Sequence, residues 1–185
     1  MEPSNALRRA RLAYERAHVV AAAKGLAIAV GACLLAVGLH PMHHLTWALA
    51  GLLAATLAVL AWRGGSWRRG AFAGVLAGLP PLIVPSIVYT LGHGQHCAQC
   101  TDGATMPCIV ACFGTSSLVG ILVGYRAILD ASPARFAVAA AASATFTGLL
   151  GCGTTGFGGA IGVVIGLLAG GLTGWMVAGR TAHVS

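Results

Sequence analysis

The stretch Phe157-Gly-Gly-Ala-Ile-Gly-Val-Val-Ile-Gly-Leu-Leu-Ala-Gly-Gly-Leu-Thr-Gly-Trp-Met-Val177 carries no charged residue and has glycine at 158, 162, 166, 170 and 174. Its length matches the roughly 20 helical residues that cross about 30 Å of hydrocarbon. Glycine at every fourth position lays a small-residue stripe along one helix face, where a neighbouring backbone can approach closely. The segment therefore predicts a transmembrane helix packed tightly on a partner.

The rest of the chain has the same character. Of 185 residues, 57% are hydrophobic and 8% charged, and the mean hydropathy is +0.84. Soluble domains carry about a quarter charged residues, so this composition leaves too little polar surface for a water-soluble body. Working outward from 157–177, five more runs are long and apolar enough to be read as spans: 19–39, 45–62, 71–91, 108–125 and 136–150. The first is interrupted only by Lys24, near one end. The third contains Pro80, Pro81 and Pro85 and is expected to bend or break there. The fifth is short and Ala-rich. Gly70, Gly74 and Gly78 in the third region, and Gly120 and Gly124 in the fourth, repeat the four-residue spacing. These stripes suit packing inside the bundle, with homo-oligomer formation or a pore lining as the alternatives. The Arg-rich beginning leads directly into a full-length apolar run, so no cleaved signal peptide is expected.

Charge gives the bundle a direction. With six spans, the N-terminus, 63–70, 126–135 and the C-terminus share one side, and that side receives all 11 Lys and Arg residues. Cytoplasmic loops attract Lys and Arg. The expected fold is thus an all-α polytopic membrane bundle of six transmembrane helices, N-in and C-in, in a bacterial inner membrane. It divides into a cytoplasmic amphipathic arm (1–18), the bundle (19–178) with a periplasmic loop at 92–107, and a short tail (179–185). The lipid bilayer is its first partner. The basic residues are scattered over four short segments, so direct nucleic-acid binding is not expected.

The side that Lys and Arg avoid collects the ligand-type residues. It holds His40, His43, His44, His93 and His96, together with Cys97, Cys100, Cys108, Cys112 and Cys152; Cys33 lies within the first span. The middle loop reads His93-x2-His96-Cys97-x2-Cys100-x7-Cys108-x3-Cys112. A helix starting near Met106 puts Cys108 and Cys112 on one face. Thiolates, alone or with His93 and His96, suit Zn or another soft divalent metal. In an oxidising compartment the same cysteines instead form disulfides, structural or redox-active, and four loop cysteines allow three connectivities. No Asp or Glu lies in a span, which argues against a proton-coupled transporter. Ser86, Thr90, Ser116, Ser117, Thr145 and Thr147 are expected to hydrogen-bond between helices. No phosphate loop, catalytic triad or zinc-protease pattern appears, so no enzymatic activity is expected.

Residues 4–18 read as a helix capped by Ser4 or Asn5, with Leu7 and Tyr14 on one face and Arg11 one turn before Glu15. Leu7, Arg8, Arg11, Tyr14 and Glu15 are the candidate partner-binding residues. The alternative is a basic amphipathic helix lying on the membrane surface.

The layout resembles the NrsF-like membrane anti-sigma factors of proteobacteria. The resemblance is carried by a cysteine near the start of the fourth span (Cys108 or Cys112), by Cys152 in Leu149-Leu-Gly-Cys-Gly153, and by the Gly-rich last span that follows. His93, His96, Cys97 and Cys100 stand outside that cysteine pair. The resemblance implies a cytoplasmic sigma factor held at the membrane and released when a metal or oxidant acts on the outer cysteines. Two rivals are a heavy-metal ion transporter and a membrane thiol oxidoreductase. The first lacks ligands along an inward path, and the second lacks an outer Arg to contact quinone.

Overall fold

A segment surrounded by lipid must satisfy its backbone N–H and C=O groups internally, which for this composition means helices. The structure, a computed structural model, describes residues 3–39, 44–91, 106–152 and 157–182, with side chains over 12–38, 46–84, 87, 110–151 and 158–180. These residues form α1 (Pro3–Leu39), α2 (His44–Arg63), α3 (Gly65–Leu91), α4 (Met106–Ile128), α5 (Pro133–Cys152) and α6 (Phe157–Ala182). Five segments are long and apolar enough to cross a membrane: Leu12–Gly38, Thr46–Arg63, Val110–Ile128, Pro133–Gly151 and Gly158–Arg180. The chain is a multi-pass membrane protein. Its exposed surface includes Leu34, Leu76, Leu118, Leu122, Leu168 and Leu172, side chains suited to acyl chains and not to water.

Two local expectations change. The arm and the first span are a single helix, and that helix begins at Pro3. Proline suits the first helical turn, where its missing N–H costs nothing, so Ser4 and Asn5 fall inside the turn and do not cap it. The break expected at Pro80, Pro81 and Pro85 does not occur, since α3 is continuous from Gly65 to Leu91. Prolines are tolerated in membrane helices when neighbours cover the freed carbonyls. Here α5 runs along this turn, with Gly148 beside Pro81 and Gly151 against the Leu82 backbone.

The closest helix pairs are not neighbours in sequence. α4 packs most extensively on α6, and α3 on α5. Gly70, Gly74 and Gly78 face Phe136, Ala140 and the Ala144–Thr147 turn in order, so α3 and α5 run parallel. Gly166, Gly170 and Gly174 face Phe113, Ser117 and Ile121, and Gly120 and Gly124 face Leu167 and Gly171, so α4 and α6 are also parallel. A Cβ on Gly120 or Gly166 would sit 2.7 Å from the carbonyl oxygen of Leu167 or Phe113. These stripes are therefore occupied by packing within one chain. Their role is the close van der Waals contact that replaces the missing hydrophobic drive in lipid.

α1 and α2 form a hairpin whose inner face joins α3 and α5 in the largest core cluster, including Ala29, Ala36, Leu53, Leu57, Val75 and Leu150. A second cluster unites Cys112 and Val119 of α4 with Ala144 of α5 and Val163 and Leu167 of α6. The link from α2 to α3 is Gly64-Gly65, both at positive φ (67° and 54°), a conformation few other residues adopt cheaply.

The interhelical hydrogen bonds expected of the small polar residues are not what the described residues make. Thr147 Oγ1 donates to Ser143 O on its own helix at 2.8 Å, and the hydroxyls of Ser116, Ser117 and Ser143 have no partner among the described residues. Ser116 and Ser117 instead lie against Gly166 and Gly170, where small volume is what the packing requires.

Candidate functional site

Of the expected thiols, Cys112 is the one whose side chain the structure describes. Two turns into α4, it is completely buried (0% exposed) among α4, α5 and α6, and it is disulfide-bonded. Cys33, half-buried on α1, is free. The partner of Cys112 is therefore one of Cys97, Cys100, Cys108 and Cys152. Cys97, Cys100, His93 and His96 lie outside the described residues; Cys108 and Cys152 lie on α4 and α5, with their side chains outside the description. Thr115 Oγ1 donates to Ala111 O at 2.7 Å, so the turn around Cys112 keeps its own polar groups satisfied. In a disulfide, Cys112 has no thiolate to give a metal. Among the described residues, no three His, Cys, Asp or Glu side chains gather as a metal site.

The opposite end of the bundle, where Arg63, Arg68, Arg69, Arg126, Arg135 and Arg180 lie, is tied by contacts that local sequence patterns did not reveal. Arg69, at the start of α3, donates to Asp130 through Nε at 2.9 Å and through an Nη at 3.2 Å. Asp130 sits in the link between α4 and α5, and Oδ1 also accepts from the Ser132 amide at 3.1 Å. Its carboxyl is almost covered while the Arg69 side chain is exposed (8% against 57%). The Arg69 hydrogen bonds, then those of the Ser66 hydroxyl and the Ser132 amide, hold Asp130 well below the usual carboxylate range. The same pairing pushes Arg69 up.

Next to this clamp, the Arg63 guanidinium lies 5.3 Å from the centre of the Trp67 ring. His18 contacts Tyr14 at 4.1 Å between ring centres and Trp62 edge-on at 5.7 Å, and its Nδ1 lies 2.9 Å from Tyr14 O. The aromatic set joins the first turns of the first span to the last turn of α2. Of the expected partner-binding residues, Tyr14 and Glu15 are exposed on α1, while Leu7, Arg8 and Arg11 lie on the same helix with side chains outside the description. His18 had no role in the sequence reading. Its signal was available only as an aromatic one turn away, at Tyr14.

The candidate elements thus form two groups at opposite ends. One is Cys112, disulfide-bonded and deep in the α4–α5–α6 core. The other is a charge-and-aromatic clasp linking the α4–α5 turn, α3, α2 and α1. No protein-family model matches the chain, and no curated protein or solved structure is significantly similar to it.

Proposed function

We propose that this chain is a membrane regulator, an anti-sigma factor whose outer thiols sense oxidant or metal and whose cytoplasmic arm holds a sigma factor. In this reading it has six spans in a bacterial inner membrane, with both ends inside and the cysteines outside. It acts as a regulator and not as an enzyme.

The observation that carries the reading is the placement of Cys112. A disulfide used only as a staple serves as well at a loop surface. A disulfide rooted at full burial between α4, α5 and α6 makes the packing of those helices depend on thiol chemistry. Reduction adds two protons and two electrons, opening the S–S bond into two thiols. The freed thiols, with His93 and His96, are then the candidate ligands for Zn or another soft cation, which would draw on thiolate coordination.

Contiguous contacts provide a route for the signal. α4 ends beside Asp130, Asp130 grips Arg69 on α3, and the Trp67–Arg63 and Trp62–His18–Tyr14 contacts follow along the same end. The route delivers a change in α4 to α1 at Tyr14 and Glu15, where the partner-binding residues lie. A ligand or bond that shifts a two-state equilibrium 100-fold must supply about 2.7 kcal/mol of differential stabilisation, within the range of one disulfide.

The test replaces Cys108, Cys112 and Cys152 by Ser and measures sigma-dependent transcription with and without oxidant, Zn or Cd. The reading expects a response lost or fixed in one state. A response identical to that of the native chain rejects these thiols as the sensor.

A further inference from the structure

α1 and α3 run side by side without closing on each other, leaving an open apolar groove of about 370 Å³ lined by Ile28, Gly31, Ala32, Leu35, Phe72, Val75, Leu76 and Leu79. The two walls match in spacing. On α1 the lining positions 28, 31, 32 and 35 form one helical stripe, and on α3 so do 72, 75, 76 and 79. One turn toward the basic end, each stripe continues into an exposed cation: Lys24 four residues before Ile28, and Arg68 four residues before Phe72. The two helices are parallel, so both cations stand at the same end of the groove.

Neither cation has a carboxylate partner among the described residues. Asp130, in the α4–α5 link, is held by Arg69. Both side chains are long enough to lay their stems along apolar surface while the charged heads reach the interface. The groove therefore offers apolar walls and two positive charges at one end. That is the charge pattern of an anionic phospholipid: acyl chain, then phosphate.

We propose that α1 and α3 bind one anionic phospholipid, with an acyl chain in the groove and the phosphate between Lys24 and Arg68. That this lipid belongs to the cytoplasmic leaflet rests on the topology proposed above. Because α1 also carries the arm, an occupied groove would fix α1 against α3, which makes membrane composition a second input to the same helix. Gly31 has open space where a Cβ would be, so a larger side chain there occupies the groove without disturbing the helices.

The test uses the full chain in nanodiscs containing equal phosphatidylglycerol and phosphatidylcholine, released into a native mass spectrometer to count retained lipids. The same lipids fill both leaflets, so the readout does not depend on orientation or on the thiols. Preferential retention of phosphatidylglycerol is expected. Lys24→Gln and Arg68→Gln should each weaken it about fivefold and the double variant roughly thirtyfold. Arg16→Gln, an exposed cation two turns before Lys24, should leave it unchanged. Gly31→Leu should remove retained lipid of both kinds, with helical content unchanged by circular dichroism. Retention in the double variant equal to that of the native chain, or equal retention of the two lipids, overturns the headgroup clamp. Full retention in Gly31→Leu, or displacement of the lipid by free glycerol phosphate, overturns the groove.

Discussion

The two tight helix pairs use the same glycine spacing but are secured differently. α3 and α5 are pinned at the basic end by Arg69 on Asp130, immediately before α5, and at the other end by Gly151 against Leu82. α4 and α6 have no charge pair between them among the described residues, and α4 is instead tied near its far end through the Cys112 disulfide. One pair is held by contacts that persist across ordinary pH and redox conditions. The other is held by its glycine contacts, and its α4 also carries a covalent bond, to a cysteine that is not on α6, that cellular chemistry can open. The two pairs thus differ in that one has a charge clamp and the other a disulfide on one of its helices.

The largest expected effect comes from filling a glycine contact. Gly170→Val puts a branched side chain against the Ser117 backbone, and Gly74→Val does the same against Ala140. Backbone cannot yield as a flexible side chain does, so each should cost more than about 4 kcal/mol and appear as loss of folded protein in size-exclusion profiles. If either variant folds normally, its pair is looser than described.

Cys112→Ser should be intermediate, about 2–4 kcal/mol from loss of the cross-link, measured as denaturant or thermal stability in mild detergent. Reductant should destabilise the native chain by a similar amount and leave the variant unaffected. Equal stability with and without reductant would show that the disulfide does not secure α4, removing the contrast.

Asp130→Asn should have the smallest effect, because Arg69 is exposed and solvent screens the pair. Its sign with pH is fixed by linkage. The folded carboxyl lies below its unfolded value of about 4. The pair therefore stabilises at and above that pH, and the contribution is lost as pH falls through the folded value. The native chain should lose its advantage over Asp130→Asn only on acidification below about pH 4. A difference that disappears near neutrality would implicate another group.

Much of this fold was legible in the sequence, and the illegible part has definite causes. Span lengths follow from bilayer thickness, and the glycine period announced close packing at 70–78, 120–124 and 158–174. Which stripe meets which could not be read, because a period of four fixes a face and not a partner. The parallel α3–α5 and α4–α6 pairings emerge only in three dimensions. The Arg69–Asp130 clamp joins residues 61 apart, and neither carries a local mark of its partner. Pro80 and Pro81 predict a break by local rules, yet α5 packed alongside allows α3 to continue. Cys112 was one of the candidate thiols; its full burial depended on α5 and α6 and was not visible in the loop spacing that singled it out.

The central claim is that the thiol end controls the arm. Amide hydrogen exchange over residues 12–20, measured on the full chain in nanodiscs under oxidising and reducing conditions, tests it most directly. The account predicts that opening the Cys112 disulfide changes protection in this segment, and that Asp130→Asn, by cutting the route, diminishes the change. Identical exchange in the two redox states would contradict it.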